Sequence, residues 1–422
     1  MDRGTTIERA GSATAARPWM GTALADLFFW VYTACVLGLN TVILAGSHTN
    51  VEPATKVFIA SWAVLNIGVA VSFLGMRRFE RKSAIVLPGF CLYVVGTSVW
   101  SAAPFTSLVY GVLLAGNALF AFTLAERLTL REFLVALQRI IVVLIVLSLI
   151  ARLLSYTPVI YHDVHQRLTV LGTVPLRGFF PHKILAALYA VVGAVLTYTL
   201  VKSQIWKWSM IALAVLFTLL TGSMTGVILL PASLIVILVV QYVVKKGLRP
   251  IWGFILVAAL VVVTVGLSAL VTSGIFNFLG RSDTWAARVD IWRWALEGWT
   301  HRPVLGWGFH TFYQTAQSEA IRATLPGFVN YIPPHAHETY IQTLLDFGLV
   351  GLAFLLWNLG MCGKRLYAAA LHNKEAIAGL AVLLVMVVTC IEMDLFYTYN
   401  AFPTFILLFL LFRCLRSSPE TI

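Results

Sequence analysis

A histidine and a glutamate stand side by side where a proline-rich segment leads into an apolar stretch. This pair, His337-Glu338, follows Pro333-Pro334. A neutral histidine suits the acceptance of a proton from an attacking hydroxyl near pH 7, and the carboxylate beside it is either an alternative base or an orienting partner. A histidine at the start of a helix is more often an ordinary interface residue, so the pair alone is only a candidate. Competing histidines are His335, the closest, and His162, His165, His182, His301 and His310.

Arginine rather than lysine supplies the positive charge of two long segments, 155–182 and 274–337. Their basic residues are Arg167, Arg177, Arg281, Arg288, Arg293, Arg302 and Arg322. A guanidinium binds phosphate oxygens bidentately and keeps its charge. The segments therefore favour recognition of an anionic group such as a diphosphate. For any single arginine, the alternative is an ion pair on a solvated loop, with partners among Asp163, Asp283, Asp290 and Glu297.

Composition places these segments in a membrane protein. Of 422 residues, 59% are hydrophobic and 11% are charged, against roughly 25% charged in a typical soluble domain. Apolar windows are long enough to cross roughly 30 Å of hydrocarbon, which takes about 20 helical residues. We predict an all-α polytopic integral membrane protein with about twelve transmembrane helices, near 22–46, 55–75, 83–103, 106–126, 132–154, 183–201, 207–222, 225–244, 251–273, 338–360, 375–393 and 399–415.

Lysine and arginine in the short loops predict the orientation. Loops rich in these residues stay in the cytoplasm, and here they alternate as a chain with both termini cytoplasmic requires. We expect a cytoplasmic tail over 1–21, helices one to nine over 22–273 with an outer loop at 155–182, a large periplasmic loop over 274–337, helices ten to twelve over 338–415 and a cytoplasmic tail over 416–422. The same bias accounts for the net charge of +12 without a nucleic-acid partner.

The large loop 274–337 is composed of residues that pack. Residues 284–299 have helical spacing, with Trp285, Val289, Trp292 and Leu296 along one face, which predicts an amphipathic helix at the membrane interface. No acidic cluster in the outer loops resembles a divalent-metal site, so we expect no metal. Glu392 and Asp394 fall at an outer helix end, where interface water is the favoured surrounding and a substrate or proton path is the alternative.

Motifs along the second half of the chain occur in a recognisable order. They are Gly280-Arg281-Ser282-Asp283-Thr284, Arg288-Val289-Asp290-Ile291-Trp292, Pro303-Val304-Leu305-Gly306-Trp307-Gly308, and His337-Glu338-Thr339-Tyr340 closing at Gly348 and Gly351. This order resembles the signature of the O-antigen ligase and O-antigen polymerase (Wzy-type) superfamily. The patch Arg177-Gly178-Phe179-Phe180-Pro181-His182-Lys183 looks like the start of a central span in exopolysaccharide polymerases of the succinoglycan kind. Glu338 departs from the family, which commonly has Asn after the histidine.

The resemblance implies inverting glycosyl transfer without a nucleotide sugar. With no acidic cluster in the outer loops, we expect this transfer to be metal-independent and to need no cofactor. The donor would be a glycan on undecaprenyl diphosphate, used at the periplasmic face of the bacterial inner membrane. The resemblance makes His337, with Glu338 beside it, the catalytic candidate, and assigns Arg288, Arg177 and Arg281 to the diphosphate. The other candidates are His335, Asp283 and Tyr340.

Three functional classes compete for this sequence. The first is a polymerase, whose acceptor is another lipid-linked glycan and which the motifs favour. The second is a ligase, whose acceptor is lipid A core or another surface anchor. The third is a transporter of polysaccharide or lipid-linked sugar, which composition alone allows. Transporters usually show related halves, and no such internal symmetry is visible in this sequence.

Overall fold

The computed structural model describes residues 23–45, 60–70, 83–161, 168–248, 283–324, 333, 335–399 and 401–416. Within these residues the regular structure is helical, and the β-pairing is an isolated antiparallel bridge between Ile160 and Leu176. The helices are α1 (Ala23–Val36), α2 (Leu39–Ala45), α3 (Ala60–Ala70), α4 (Ser83–Gly96), α5 (Pro104–Arg127), α6 (Leu130–Leu153), α7 (Lys183–Leu200), α8 (Gln204–Thr221), α9 (Met224–Lys245), α10 (Asp283–His301), α11 (Ala316–Thr324), α12 (Thr339–Ala370), α13 (Lys374–Thr389) and α14 (Phe402–Arg416).

Helix length and composition confirm the predicted fold class of an all-α polytopic membrane protein. In the described part of the chain, six helices are long and apolar enough to cross a membrane, namely α5, α6, α7, α8, α9 and α12. Shorter apolar helices add to them, including α3. The predicted span at 251–273 lies outside the described residues.

Two predicted spans differ from the observed helices at a glycine. The span predicted over 22–46 is divided into α1 and α2 at Gly38, whose φ is +113°. A side chain could not fit there, because a Cβ on Gly38 would lie 2.2 Å from Pro181 Cδ. The span predicted over 338–360 continues to Ala370 and is broken at Gly348, where φ is +65° and ψ is −164°.

Helix α7 lies at the centre of the membrane-spanning part. Its small residues Ala186, Ala190 and Gly193 are on a helix that is buried along most of its length and packs against α6, α8, α9 and α13. Small residues let helix backbones approach closely in a membrane. Helix α14 is buried in the same way and packs against α5. Its Phe409 stacks on Phe133 of α6 with ring centroids 3.6 Å apart.

A second, smaller core holds the loop segments against α12. It comprises Trp294, Ala295, Trp307, Phe312, Tyr313, Ile321, Ala336 and Leu345. The predicted amphipathic helix is present as α10, and it has a second apolar face that the prediction missed, since Ile291 and Trp294 are buried. On the predicted face, Val289 and Leu296 remain 44% and 39% exposed. The smaller core therefore packs against α10 mainly through the face of Ile291 and Trp294, a different face from the predicted one.

Candidate functional site

A break in α12 receives the loop 303–308. The residues just before Gly348 offer carbonyls that the interrupted helix leaves unpaired, and the N–H groups of Trp307 and Gly308 donate to Leu345 O and Asp346 O at 2.8 and 3.1 Å. In return, the Leu349 N–H donates to Pro303 O at 2.9 Å. The loop thus satisfies backbone groups that a buried helix break would otherwise leave without partners.

Glycine is required where this loop meets the helix, because the two backbones touch. A Cβ on Gly348 would lie 2.2 Å from Val304 O, and a Cβ on Gly306 would lie 2.6 Å from Asp346 O. Both glycines also have positive φ, a conformation that other residues adopt at a cost. The glycines of the two motifs therefore have a physical reason, which is close approach of backbone to backbone.

The histidine-bearing segment 335–337 is held from two sides. The Ala336 N–H donates to Gln342 Oε1 of α12 at 2.7 Å, and Ala336 O accepts from the Trp292 indole of α10 at 3.0 Å. The next residue, His337, has a φ of +56°. Its N–H donates to His335 Nδ1 at 3.1 Å, and the two imidazole rings are 4.2 Å apart.

His310 lies in the turn that follows the loop 303–308, and like the segment 335–337 it is hydrogen-bonded to α12. It also has positive φ, at +61°, and its N–H donates to Asp346 Oδ1 at 3.1 Å. Its ring meets Tyr110 and Tyr399 edge-on, at centroid distances of 5.2 and 5.6 Å. Burial lowers the pKa of His310 to about 4, so this imidazole is neutral at physiological pH.

Electrostatics shows which charges surround His335 and His337. Burial lowers the pKa of His337 to about 4, and the neighbouring charge of Arg288 acts in the same direction. Burial is the largest of the causes that hold the pKa of His335 well below its usual range. The charges of four neighbours lower this pKa further, namely His337, His310, His182 and Arg288. The charges of Arg288 and of the other three histidines therefore act on His335, and we refer to His182, His310, His335 and His337 as the histidine cluster. His335 and His337 are neutral at pH 7.

Arg177 is connected to His182 of this cluster through Tyr161. The buried Arg177 donates from Nε to Pro158 O at 2.9 Å; burial lowers its pKa, and the charge of Tyr161 opposes that shift. The Tyr161 hydroxyl lies 2.8 Å from His182 Nε2, and the other ring nitrogen of His182 accepts from Ile184 N–H and caps α7. Tyr161 thus links Arg177 to His182, whose charge acts on His335.

Glu338 is the N-cap of α12. Its buried carboxylate accepts from the Ile341 N–H. Burial raises its pKa to about 7, and backbone hydrogen bonds from Ile341 and Tyr340 oppose that rise. A capping role also explains the departure from the family pattern, because Asn is among the best N-cap residues and supplies the same acceptor oxygen.

Asp394 lies in the connection between α13 and α14. Burial raises its pKa well above the usual range, and the charges of Asp346 and Glu338 contribute to the same rise. Asp394 is half-buried in the structure, and its expected placement in interface water stays a prediction. In the chain as described, no three His, Cys, Asp or Glu side chains are grouped so as to hold a metal ion.

Three of the loop arginines have partners away from the histidine cluster. Arg293 pairs with Asp290 at 3.1 Å, as the ion-pair alternative predicted. Arg322 pairs with Glu319. Arg302 donates to Trp100 O at 2.9 Å and lies over the Trp307 ring. These contacts set the three residues apart from Arg177 and Arg288.

The remaining candidates are less informative. Arg281, like Arg167, falls outside the described residues, and Asp283 begins α10 with its side chain outside them. Tyr340 is half-buried and lines an apolar cavity of about 270 Å³ between α9, α12 and α13.

Two residues of the site were missed by the sequence reasoning, Gln342 and Asp346. Both are buried polar residues on an otherwise apolar span, 4% and 2% exposed. An ionisable residue within a membrane span is a functional candidate by default. That signal was present for Asp346 in the predicted 338–360 span, whereas Gln342 is not ionisable and gave no such signal.

Comparison with known proteins gives two matches. The family profile described as O-Antigen ligase matches residues 209–356, which include α10 and the motifs through Gly351. The chain is also 23% identical over 337 residues to the exopolysaccharide production protein ExoQ of Rhizobium meliloti (strain 1021), covering 77% of this chain and 74% of that protein. The resemblance to the O-antigen ligase and polymerase superfamily is thereby confirmed.

Proposed function

We propose that this chain, whose residues 209–356 match the family profile described as O-Antigen ligase, is an inverting glycosyltransferase. Its donor is a glycan on undecaprenyl diphosphate, and it extends a surface polysaccharide at the periplasmic face of the bacterial inner membrane. The observation that carries the proposal is the position of His337, which has positive φ and follows Ala336, a residue hydrogen-bonded to both Gln342 and Trp292. The charge of Arg288 acts on its ring.

The transfer step follows from these two groups. A hydroxyl of the acceptor glycan attacks the anomeric carbon of the donor sugar from the face opposite the diphosphate. The new C–O bond forms as the bond to the diphosphate breaks, and the electron pair leaves with the diphosphate. The hydroxyl proton passes to His337, and Arg288 and Arg177 stabilise the departing negative charge.

The bound donor itself makes His337 a better base. In the empty site the pKa of His337 is lowered by burial and by Arg288. A diphosphate beside the ring brings negative charge, which favours the imidazolium and raises this pKa. Proton acceptance by His337 is thereby coupled to the binding of the donor. The chemistry we expect is metal-free, so arginines alone hold the leaving diphosphate.

Extension of a polysaccharide is favoured over ligation by the patch 177–183 and by the similarity to a protein of exopolysaccharide production. The alternative, a ligase that transfers the glycan to lipid A core, is supported by the description of the matched family. The two differ only in the acceptor. One assay therefore distinguishes them.

The test uses purified protein in detergent with a defined undecaprenyl diphosphate oligosaccharide and EDTA, and products are resolved by size. We expect a ladder of longer lipid-linked glycans from the wild type and none from His337→Ala or Arg288→Ala. Matched controls are His301→Ala and Arg293→Ala, since His301 is exposed at the end of α10 and Arg293 pairs with Asp290. Both controls should make the ladder.

Each other result has a defined meaning. Product that forms only after addition of a core acceptor would identify a ligase. A ladder made by folded His337→Ala protein would remove the histidine from the mechanism. No covalent product with either acceptor would refute the transferase and leave the transporter as the function to test.

A further inference from the structure

Two polar residues one turn apart on α12 connect the segments that carry the site histidines. The spacing of Gln342 and Asp346, i and i+4, places them on the same helix face. Gln342 Nε2 donates to Asp346 Oδ2 at 2.9 Å. Neither side chain takes part in the transfer step proposed above, yet both are buried in a membrane-spanning helix, where an unsatisfied polar group is costly.

The outer atoms of this pair bind two backbone amides. Gln342 Oε1 accepts the N–H of Ala336, the residue before His337, at 2.7 Å. Asp346 Oδ1 accepts the N–H of His310 at 3.1 Å. A single amide–carboxylate pair thus bridges the segment 335–337 and the turn at His310, while Ala336 O is held by Trp292 of α10.

The direction of each hydrogen bond from Ala336 through Gln342 and Asp346 to His310 is determined by the groups involved. A backbone amide can only donate, so Gln342 must present its oxygen to Ala336 and its nitrogen to Asp346. Asp346 must then accept from both sides. The reversed amide orientation would place the Gln342 nitrogen against the Ala336 N–H, donor against donor.

We propose that Gln342 and Asp346 are positioning residues, which set the backbones of His337 and His310 from one face of α12. The kinetic consequence rests on the proposed transferase function. The positioning itself does not, and it is measured separately below.

The test is a polarity swap within the pair. Asp346→Asn places two amide nitrogens against each other, and Gln342→Glu places two carboxylates against each other. The double variant Gln342→Glu/Asp346→Asn restores every bond in reverse: the new carboxylate at position 342 accepts from Ala336 and from the new amide at position 346, whose oxygen accepts from His310. The matched control is Gln138→Glu, the same change at a buried glutamine of α6 that donates to Thr197 at 3.0 Å.

Two readouts are taken on monodisperse protein. The first is kcat for glycan transfer per folded molecule, with KM for the donor. We expect each single variant to lose at least about tenfold in kcat, the order of magnitude for a buried polar group left unpaired, and the double variant to recover to within a few-fold of wild type. Gln138→Glu should leave kcat unchanged.

The second readout is hydrogen–deuterium exchange of the amides of Ala336 and His310. At least one of the two should exchange faster in each single variant and return to the wild-type rate in the double variant. Because this readout needs no substrate, it decides the positioning even if the wild type transfers nothing, in which case the transferase proposal fails by itself. Single variants that keep wild-type exchange, or a double variant no better than the worse single one, would overturn the positioning role. Single variants that fail to fold, with a double variant that folds, support the pairing.

Discussion

At the scale of single residues, the site combines strained backbone with neutral imidazoles. His310 and His337 both adopt positive φ, which costs a non-glycine residue roughly 1–2 kcal/mol. The N–H groups of His310 and His337 each donate a hydrogen bond that holds this conformation. The N–H of Ala336, next to His337, donates another. The same burial that surrounds the two rings keeps them uncharged at pH 7.

The pKa of His337 predicts the pH dependence of transfer. The ring acts as a base only when neutral, and its pKa in the empty site is lowered to about 4. Since kcat/KM reports ionisations of the free enzyme, we expect kcat/KM to be constant from pH 8 down to about pH 5 and to fall only below that range. The measurement is kcat/KM for the donor across this range. An acid limb near pH 7 that Glu338→Gln removes would instead assign proton acceptance to Glu338, whose pKa is about 7.

The raised pKa of Glu338 predicts that the stability of the wild type relative to a Glu338→Asn variant depends on pH. Its pKa is raised from the ordinary 4.5 to about 7, so the folded protein binds more protons than the unfolded chain between these values. Stability of the wild type therefore falls as pH rises from about 5 to 8. Glu338→Asn keeps a capping oxygen without this ionisation, so we expect its Tm to exceed that of the wild type at pH 8, with the difference vanishing near pH 5.

Glycan transfer should persist in Glu338→Asn, because we assign Glu338 to the helix cap. Glu338→Leu is the comparison: it removes the cap oxygen and should cost about 1 kcal/mol of stability. Thermal unfolding in detergent at pH 5 and pH 8 measures both variants. A Tm difference for Glu338→Asn that is the same at both pH values would refute the buried, titrating carboxylate.

At the scale of elements, the break in α12 organises the site. It lets the loop 303–308 hydrogen-bond into the helix, and this contact places His310 over Asp346. A continuous helix would use its own carbonyls at these positions and leave the loop no partners. The broken helix is therefore what joins the loop to the membrane-spanning part.

Gly348→Ala tests this role, with Gly360→Ala of the same helix as its control. A Cβ on Gly348 would lie 2.2 Å from Val304 O in a backbone with positive φ, whereas a Cβ on Gly360 meets nothing within 4 Å. We expect Gly348→Ala to lose more than about 2 kcal/mol of stability from strain and the clash and to abolish transfer. Gly360→Ala should be neutral or stabilise by up to about 1 kcal/mol, because alanine favours helix. Thermal unfolding and the ladder assay measure both; equal behaviour of the two variants would show that the loop is not docked in the break.

At the scale of the whole molecule, orientation decides on which side of the membrane the histidine cluster works. The basic loops predict cytoplasmic termini, which puts α10, α11 and the cluster in the periplasm. On that side, a donor glycan of the kind we propose would already have crossed the membrane. Cysteine accessibility tests the orientation directly.

We expect Gln317→Cys on α11 to react with a membrane-impermeant thiol reagent in intact spheroplasts. Ser203→Cys before α8 should react only after the membrane is opened. Both positions are exposed, and the background replaces the native cysteines Cys35, Cys91, Cys362, Cys390 and Cys414, which are free thiols in the structure. Labelling in the opposite order would invert the topology and remove the periplasmic site.

The sequence by itself determined the fold class and the positions of most described apolar helices, and it selected the segment that carries His335 and His337. Hydropathy is a local property, and a lipid environment leaves helices as the way to satisfy the backbone of an apolar span, so spans such as α5, α6 and α7 are predicted within a few residues. Motif spacing likewise selected His337, Arg288 and Arg177, which the structure places in or next to one cluster.

Only the tertiary structure decided which residues act together. The break at Gly348, the second apolar face of α10 and the membership of His182 and His310 in the cluster all depend on contacts between segments far apart in sequence. The same is true of the arginines: Arg293 and Arg302 have the same charge as Arg288, and only their partners separate them. The proposed role of Gln342 and Asp346 depends on hydrogen bonds from two backbone amides, and no local sequence pattern predicts these bonds. Spacing along a chain specifies the face of a helix, whereas the groups that meet this face are set by packing.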